Sequence, residues 1–140
     1  MDCRPILAAM LLTALAACAD APGDAATPTS CPVLASDDWQ AELLLEGNDP
    51  AALRLVVTGT VTLPTPGHAI DWTMGPLDRR QPPALRLALT ATPHDGLVAQ
   101  VLTNETVRFE GASPVPAYRA VIVTCGESVL AEIPDVALGQ

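Results

Sequence analysis

From Asp37 onward, apolar and polar residues exchange at every second position, and turn-forming residues interrupt the alternation roughly every eight to twelve residues. A period of two sends successive side chains to opposite faces of an extended chain, so the pattern predicts half-buried β-strands joined by short turns. Trp39, Ala41, Leu43 and Leu45 share one face against Gln40 and Glu42, with Leu44 breaking the polar side, and Gly47-Asn48-Asp49-Pro50 makes a turn. The clearest strand follows: Leu53, Leu55, Val57, Gly59, Val61 and Leu63 oppose Arg54, Thr58, Thr60 and Thr62. Pro64 to Gly67 ends it, because proline removes a ladder donor and glycine accepts a positive φ.

Ile70, Trp72 and Met74 then alternate with Asp71 and Thr73, and a proline-rich connection is expected over Gly75 to Pro83. Leu85, Leu87, Leu89 and Ala91 form the next apolar face, up to a turn at Pro93-His94-Asp95-Gly96. Leu97 to Glu110 reads as two short strands or one long bent strand, and Gly111 to Pro116 as a loop. Tyr118 to Cys125 and Ser128 to Ile133 pair across a tight turn at Gly126-Glu127. No segment carries a capped helical period. About seven strands predict an all-β domain, an immunoglobulin-like antiparallel β-sandwich, with a small β-barrel as the alternative.

The beginning of the chain has another character. Arg4 precedes an apolar run from Ile6 to Ala17, broken only by Thr13, which has the length of a secretory h-region and is too short to span a bilayer as a helix. The run ends in Leu15-Ala16-Ala17-Cys18, which resembles the lipobox of bacterial lipoproteins. That resemblance implies cleavage after residue 17 and acylation of Cys18, an anchor that holds the protein to a membrane without crossing it. Ala19 follows the cysteine and Asp20 comes one place later, so the expected address is the outer membrane, facing the periplasm. Residues 18–30, rich in alanine, proline, threonine and aspartate, read as a flexible tether, and residues 31–140 as the folded domain.

With Cys3 lost in the signal peptide (residues 1–17) and Cys18 used by lipid, Cys31 and Cys125 remain in an oxidising compartment and are expected to form a disulfide. The formal charge of −9, with no lysine and seven arginines, would repel phosphate backbones and excludes nucleic acid as an expected partner. Catalytic chemistry finds few candidates. His68 and His94 sit in turns, and His94-Asp95 with Asp37 and Asp38 would be at most half a metal site. No serine lies in a GxSxG elbow, and there is no HExxH, DxDxDG or GxxxxGKS motif. A non-catalytic domain without metal or cofactor is therefore expected. Trp39, Trp72, Phe109 and Tyr118 all fall in predicted strands, where core packing is their plainest role.

The loop Pro64-Thr65-Pro66-Gly67-His68, followed by Trp72, resembles part of the chagasin-type inhibitors of papain-like cysteine proteases. In that family an Ig-like sandwich presents an Asn-Pro-Thr-Thr-Gly-aromatic loop, with a tryptophan soon after, to the protease cleft. Pro64, Thr65 and Gly67 match, whereas Leu63, Pro66 and His68 stand where the family has asparagine, threonine and an aromatic residue. The tryptophan sits further along, and the family's glycine-rich second loop and Arg-Pro-Trp third loop have no counterpart. The resemblance covers fewer than a dozen residues and implies protease inhibition through this loop. The other functional expectations are an envelope domain that binds a protein partner and a periplasmic small-ligand-binding domain.

Overall fold

The computed structural model describes residues 30–49 and 51–138. Residues 1–29, on which the expected signal segment, the expected lipidation site Cys18 and most of the expected tether fall, lie outside the described residues. Seven strands follow one another: β1 (Ala35–Leu45), β2 (Leu53–Leu63), β3 (Ala69–Leu77), β4 (Ala84–Thr92), β5 (Thr103–Ser113), β6 (Ala117–Cys125) and β7 (Ser128–Ala137). They form two facing sheets, one ordered β1-β2-β5 and the other β3-β4-β6-β7. The sheets are not closed into a barrel; the fold is a β-sandwich.

The alternation in the sequence is the alternation of the sheets. Leu55, Val57, Val61 and Leu63 of β2 are fully buried, and face Leu85, Leu87 and Leu89 of β4 and Val121 and Val123 of β6 across the core. All pairings are antiparallel except β4 with β6, which run parallel, Leu85 beside Val121 and Leu87 beside Val123. Parallel neighbours need a crossover, and β5 supplies it: the chain leaves β4, runs the other way in the opposite sheet and returns as β6.

Several boundaries move once partners are known. The apolar residues Leu97, Val101 and Leu102 are exposed loop, because Leu63, the last residue of β2, pairs with Thr103 and no strand remains beyond it. At its other end β5 continues through Gly111 to Ser113, since β2 offers Leu55 and Leu53 as partners. β3 likewise runs on through a bulge between Met74 and Leu77, so the connection is residues 78–83; Pro76 is tolerated because β3 is an edge strand. β7 extends past Pro134 to Ala137, and Leu138 makes a parallel bridge to Leu43, joining the two sheets along one side.

The aromatic residues pack inside, as expected. Trp72 meets Trp39 edge-on at 6.5 Å and Phe109 at 5.9 Å between ring centroids, which links β1, β3 and β5 across the sandwich. Trp39 follows a bulge at Asp38, whose φ of 53° turns β1 so that the indole lies over β2. Gly59 leaves the space beneath: a Cβ there would stand 2.3 Å from Trp39 Cε3. Gly111 does the same for Phe109, whose Cζ would be 2.8 Å away.

Tyr118 closes the β5–β6 connection. Ser113 Oγ donates to the Val115 carbonyl at 2.8 Å, so its one proton is used and the buried Tyr118 hydroxyl donates to Ser113 Oγ at 2.6 Å. Tyr118→Phe should cost about 1 kcal/mol of unfolding free energy at neutral pH, measured by denaturant titration. Burial also raises the phenol's pKa above the ordinary 10, so its contribution is complete below pH 10 and falls away as pH rises through the higher folded value. The wild-type protein should therefore lose more stability than Tyr118→Phe on passing from neutral pH to strongly alkaline pH.

Cys31 and Cys125 form a disulfide, with 5.2 Å between their Cα atoms and a sequence separation of 94. It fastens the segment that leads into β1 to the end of β6.

Candidate functional site

The registers divide the connections between two ends of the sandwich. Residues 64–68, 93–102 and the turn at 126–127 lie at one end, where the chain also enters through Cys31 to Leu34. Residues 46–52, 78–83 and 114–116 lie at the other. Three loops at one end is the arrangement a loop-borne wedge requires. The side chains of the 64–68 loop, however, turn inward. Thr65 is 9% and His68 8% exposed, and His68 Nδ1 lies 3.0 Å from the Thr65 carbonyl, to which a protonated Nδ1 donates. Pro64 and Pro66 are half-buried, and only Gly67, at φ 79°, is exposed at the loop's tip, packed beside His94.

The remaining sequence candidates do not converge. His94 and Asp95 are exposed in a bend, and Asp37 and Asp38 lie on β1. Among the described residues no group of three or more histidines, cysteines or acids is placed to hold a metal ion. The loop end is nevertheless distinctive: it exposes Leu34, Leu97, Val101 and Leu102, and none of the described arginines lies there.

The arginines gather toward the opposite end, where a groove of about 390 Å³ opens on the outer face of the β3-β4-β6-β7 sheet. Arg80, Arg86 and Arg119 line it against a single acid, Asp78, and Pro76, Leu77, Ala84 and Ile122 supply apolar wall and floor. Each position has a local cause. Arg86 and Ile122 are paired across β4 and β6, and their side chains therefore stand on the same face of the sheet. At Gly75, a Cβ would be 2.9 Å from the Arg86 carbonyl and 3.3 Å from Arg86 Cβ; glycine here lets the two backbones approach.

Asp78 organises the connecting loop. Its Oδ1 accepts the Ala84 amide at 2.9 Å and the Arg80 amide at 3.2 Å, and its Oδ2 accepts Arg119 Nη2 at 2.6 Å. These bonds, the Ala84 amide foremost and the Arg119 guanidinium after it, hold the carboxyl below its ordinary 3.8. A depressed carboxyl stabilises the loop above pH 3.8 and releases it as pH falls through the lower folded value. The Ala84 amide resonance should accordingly titrate below pH 3.8 in the wild-type protein and not at all in Asp78→Asn.

Two arginines outside the groove, Arg54 and Arg108, are matched by acids, whereas Arg79 in the adjoining loop is not. Arg54 bridges Glu46 and Glu110, and Arg108 donates to Glu110 at 3.1 Å. Hydrogen bonds from Arg54 first and Arg108 second lower the Glu110 pKa. Arg80 and Arg86, by contrast, meet no carboxylate among the described residues, and the Nε of Arg119 is enclosed without an acceptor. The groove is thus a local excess of positive charge on a chain of net −9. Sequence reading missed it, because 80, 86 and 119 are far apart in the chain and each looks like an ordinary solvent-side position. Comparison of the chain with protein-family models, curated proteins and solved structures finds no match.

Proposed function

We propose that the chain is a lipoprotein of the bacterial cell envelope, held to the outer membrane by an acylated Cys18 and facing the periplasm, whose β-sandwich is a non-catalytic interaction domain for an envelope protein. The observation that carries this reading is the place where the chain enters the fold. Cys31 stands immediately after the tether and is cross-linked to Cys125, so an anchor at Cys18 would pull on a covalently fastened end of a rigid body. The 13-residue span from Cys18 to Ser30 reaches at most about 45 Å when extended, so the domain would stay close to the membrane, attached through its loop end.

Intact-mass spectrometry of the membrane-extracted protein tests the anchor. The expected species is residues 18–140 plus acyl chains, with two alkylatable thiols appearing only after reduction; an unlipidated mass ends the lipoprotein reading. Photo-cross-linking in intact cells tests the interaction role. Cross-linkers at Arg79 and Pro116, at the far end, should give one discrete adduct that a cross-linker at Leu97 does not give. A monomer at every position would count against a protein partner.

Inhibition of cysteine proteases is the second reading, supported by three loops clustered at one end. The burial of Thr65 and His68 weighs against it, because an inhibitory loop must offer its side chains to a cleft. It predicts that the purified protein slows papain and that Gly67→Trp abolishes the effect.

A further inference from the structure

We infer that the groove between the 78–83 loop, β4 and β6 is a binding site for a carboxylate carried on a short apolar group. Three features define its ligand, and none depends on how the chain is anchored. The first is charge. Of the six described arginines, Arg54, Arg108 and Arg119 are engaged by carboxylates and Arg79, Arg80 and Arg86 are not; two of these three, Arg80 and Arg86, line the groove. A guanidinium offers a planar fork of donors that matches a carboxylate with two parallel hydrogen bonds. Arg86 is rooted in a central strand and Arg80 has its backbone amide bound by Asp78, so both side chains project from fixed points.

The second feature is the enclosed Arg119 Nε. Asp78 takes one Nη2 bond and leaves this donor without an acceptor, an arrangement seldom left idle in a folded protein. An oxyanion seated beside Arg86 would let the Arg119 head turn and complete its bonds. The third feature is the apolar lining from Leu77, Pro76 and Ile122, which suits a short hydrocarbon body and gives a fully hydrated inorganic anion nothing to bury against.

Carboxylate is preferred to phosphate by the loop's backbone. Phosphate sites commonly gather several amide N–H donors. Here Pro82 and Pro83 have none, and the Arg80 and Ala84 amides are already spent on Asp78. The loop is therefore poor in the donors a phosphate cradle needs and rich in side-chain forks.

The test is a heteronuclear NMR titration of the full chain, in detergent, with hexanoate, butyl phosphate, inorganic phosphate and hexanol as probes. Hexanoate should move the amides of Arg86, Ile122 and Ala84 saturably. Arg80→Ala and Arg86→Ala should each weaken it by about tenfold, the loss expected for one charge-assisted pair, while Arg108→Ala leaves it unchanged. Melting temperatures of all three variants check that the fold is intact. Equal binding of hexanol, binding unaffected by Arg80→Ala and Arg86→Ala, no saturable shift, or tighter binding of either phosphate would each overturn the assignment.

Discussion

Replacing Gly59 with valine is expected to destabilise the domain by at least about 3 kcal/mol, read as a lower denaturation midpoint. Even the first added carbon cannot fit: a Cβ would lie 2.3 Å from Trp39 Cε3 and 2.4 Å from Cδ2, far inside van der Waals contact. The indole has no easy retreat, since its edge packs against Trp72, which in turn packs against Phe109. Overpacking in a filled core typically costs 1 to 3 kcal/mol and sometimes more, and displacement of the ring adds the lost aromatic contacts, about 1 kcal/mol. A double-mutant cycle gives the decisive form of this experiment. In a Trp39→Ala background the space above Gly59 is empty, so Gly59→Ala should there be close to neutral while remaining costly in the wild type. Such non-additivity is expected only of residues in direct contact. Equal costs in both backgrounds would mean that the glycine serves its backbone and not the tryptophan.

Gly59 also shows how far the sequence could be read. Its place on the apolar face of β2 follows from the period of two, as does the burial of Leu55, Val57, Val61 and Leu63. Why a glycine stands there is a matter of Trp39, twenty residues away and turned by a bulge at Asp38 that no local pattern marks. The limits of β5 were unreadable for a related reason. Leu97 to Leu102 is as apolar as a strand, yet a strand needs a partner, and β2 ends opposite Thr103. Gly111 to Ser113 looks like a loop, yet β2 has free pairing groups to offer it. The parallel pairing of β4 with β6 depends on which sheet receives β5, a choice made by long-range packing.

The same logic separates the two candidate sites. The Pro64 to His68 loop was legible as a turn because proline and glycine act locally. The direction of its side chains was not, because burial of Thr65 and His68 depends on neighbouring structure. The arginine groove was invisible for want of any local signature. Arg86 reads as the polar partner of Leu85 and Leu87, Arg119 as the start of a strand, and Arg80 as loop; only the sheet order brings them to one surface.

Opening the Cys31–Cys125 disulfide should have the other large effect, a loss of about 4 kcal/mol. The bond closes a loop with 94 residues of separation, and in the chain-entropy view a closure of that length restrains the unfolded chain by about 4 to 5 kcal/mol. Small domains hold only about 5 to 15 kcal/mol in all, so the melting temperature should fall by roughly 15 to 30 °C. Reduction of the wild type and the variant Cys31→Ser/Cys125→Ser separate two causes. Reduction leaves both sulfurs in place and removes only the link. The double variant also sets a hydroxyl where Cys125 is 1% exposed, at a further expected cost of about 1 kcal/mol or more. Local loosening should precede global unfolding. Residues 31–34 are tied to the sandwich by the disulfide and by the Leu34 amide bonded to the Thr62 carbonyl at 2.9 Å, whereas β1 proper is held along its length by β2. After reduction, limited proteolysis should therefore cut between Cys31 and Ala35 under conditions in which β2 and β4 remain protected. A reduced protein that resists cleavage there, with an unchanged melting temperature, would show that packing of Val33 against the core fixes the entry of the chain without help from the cross-link.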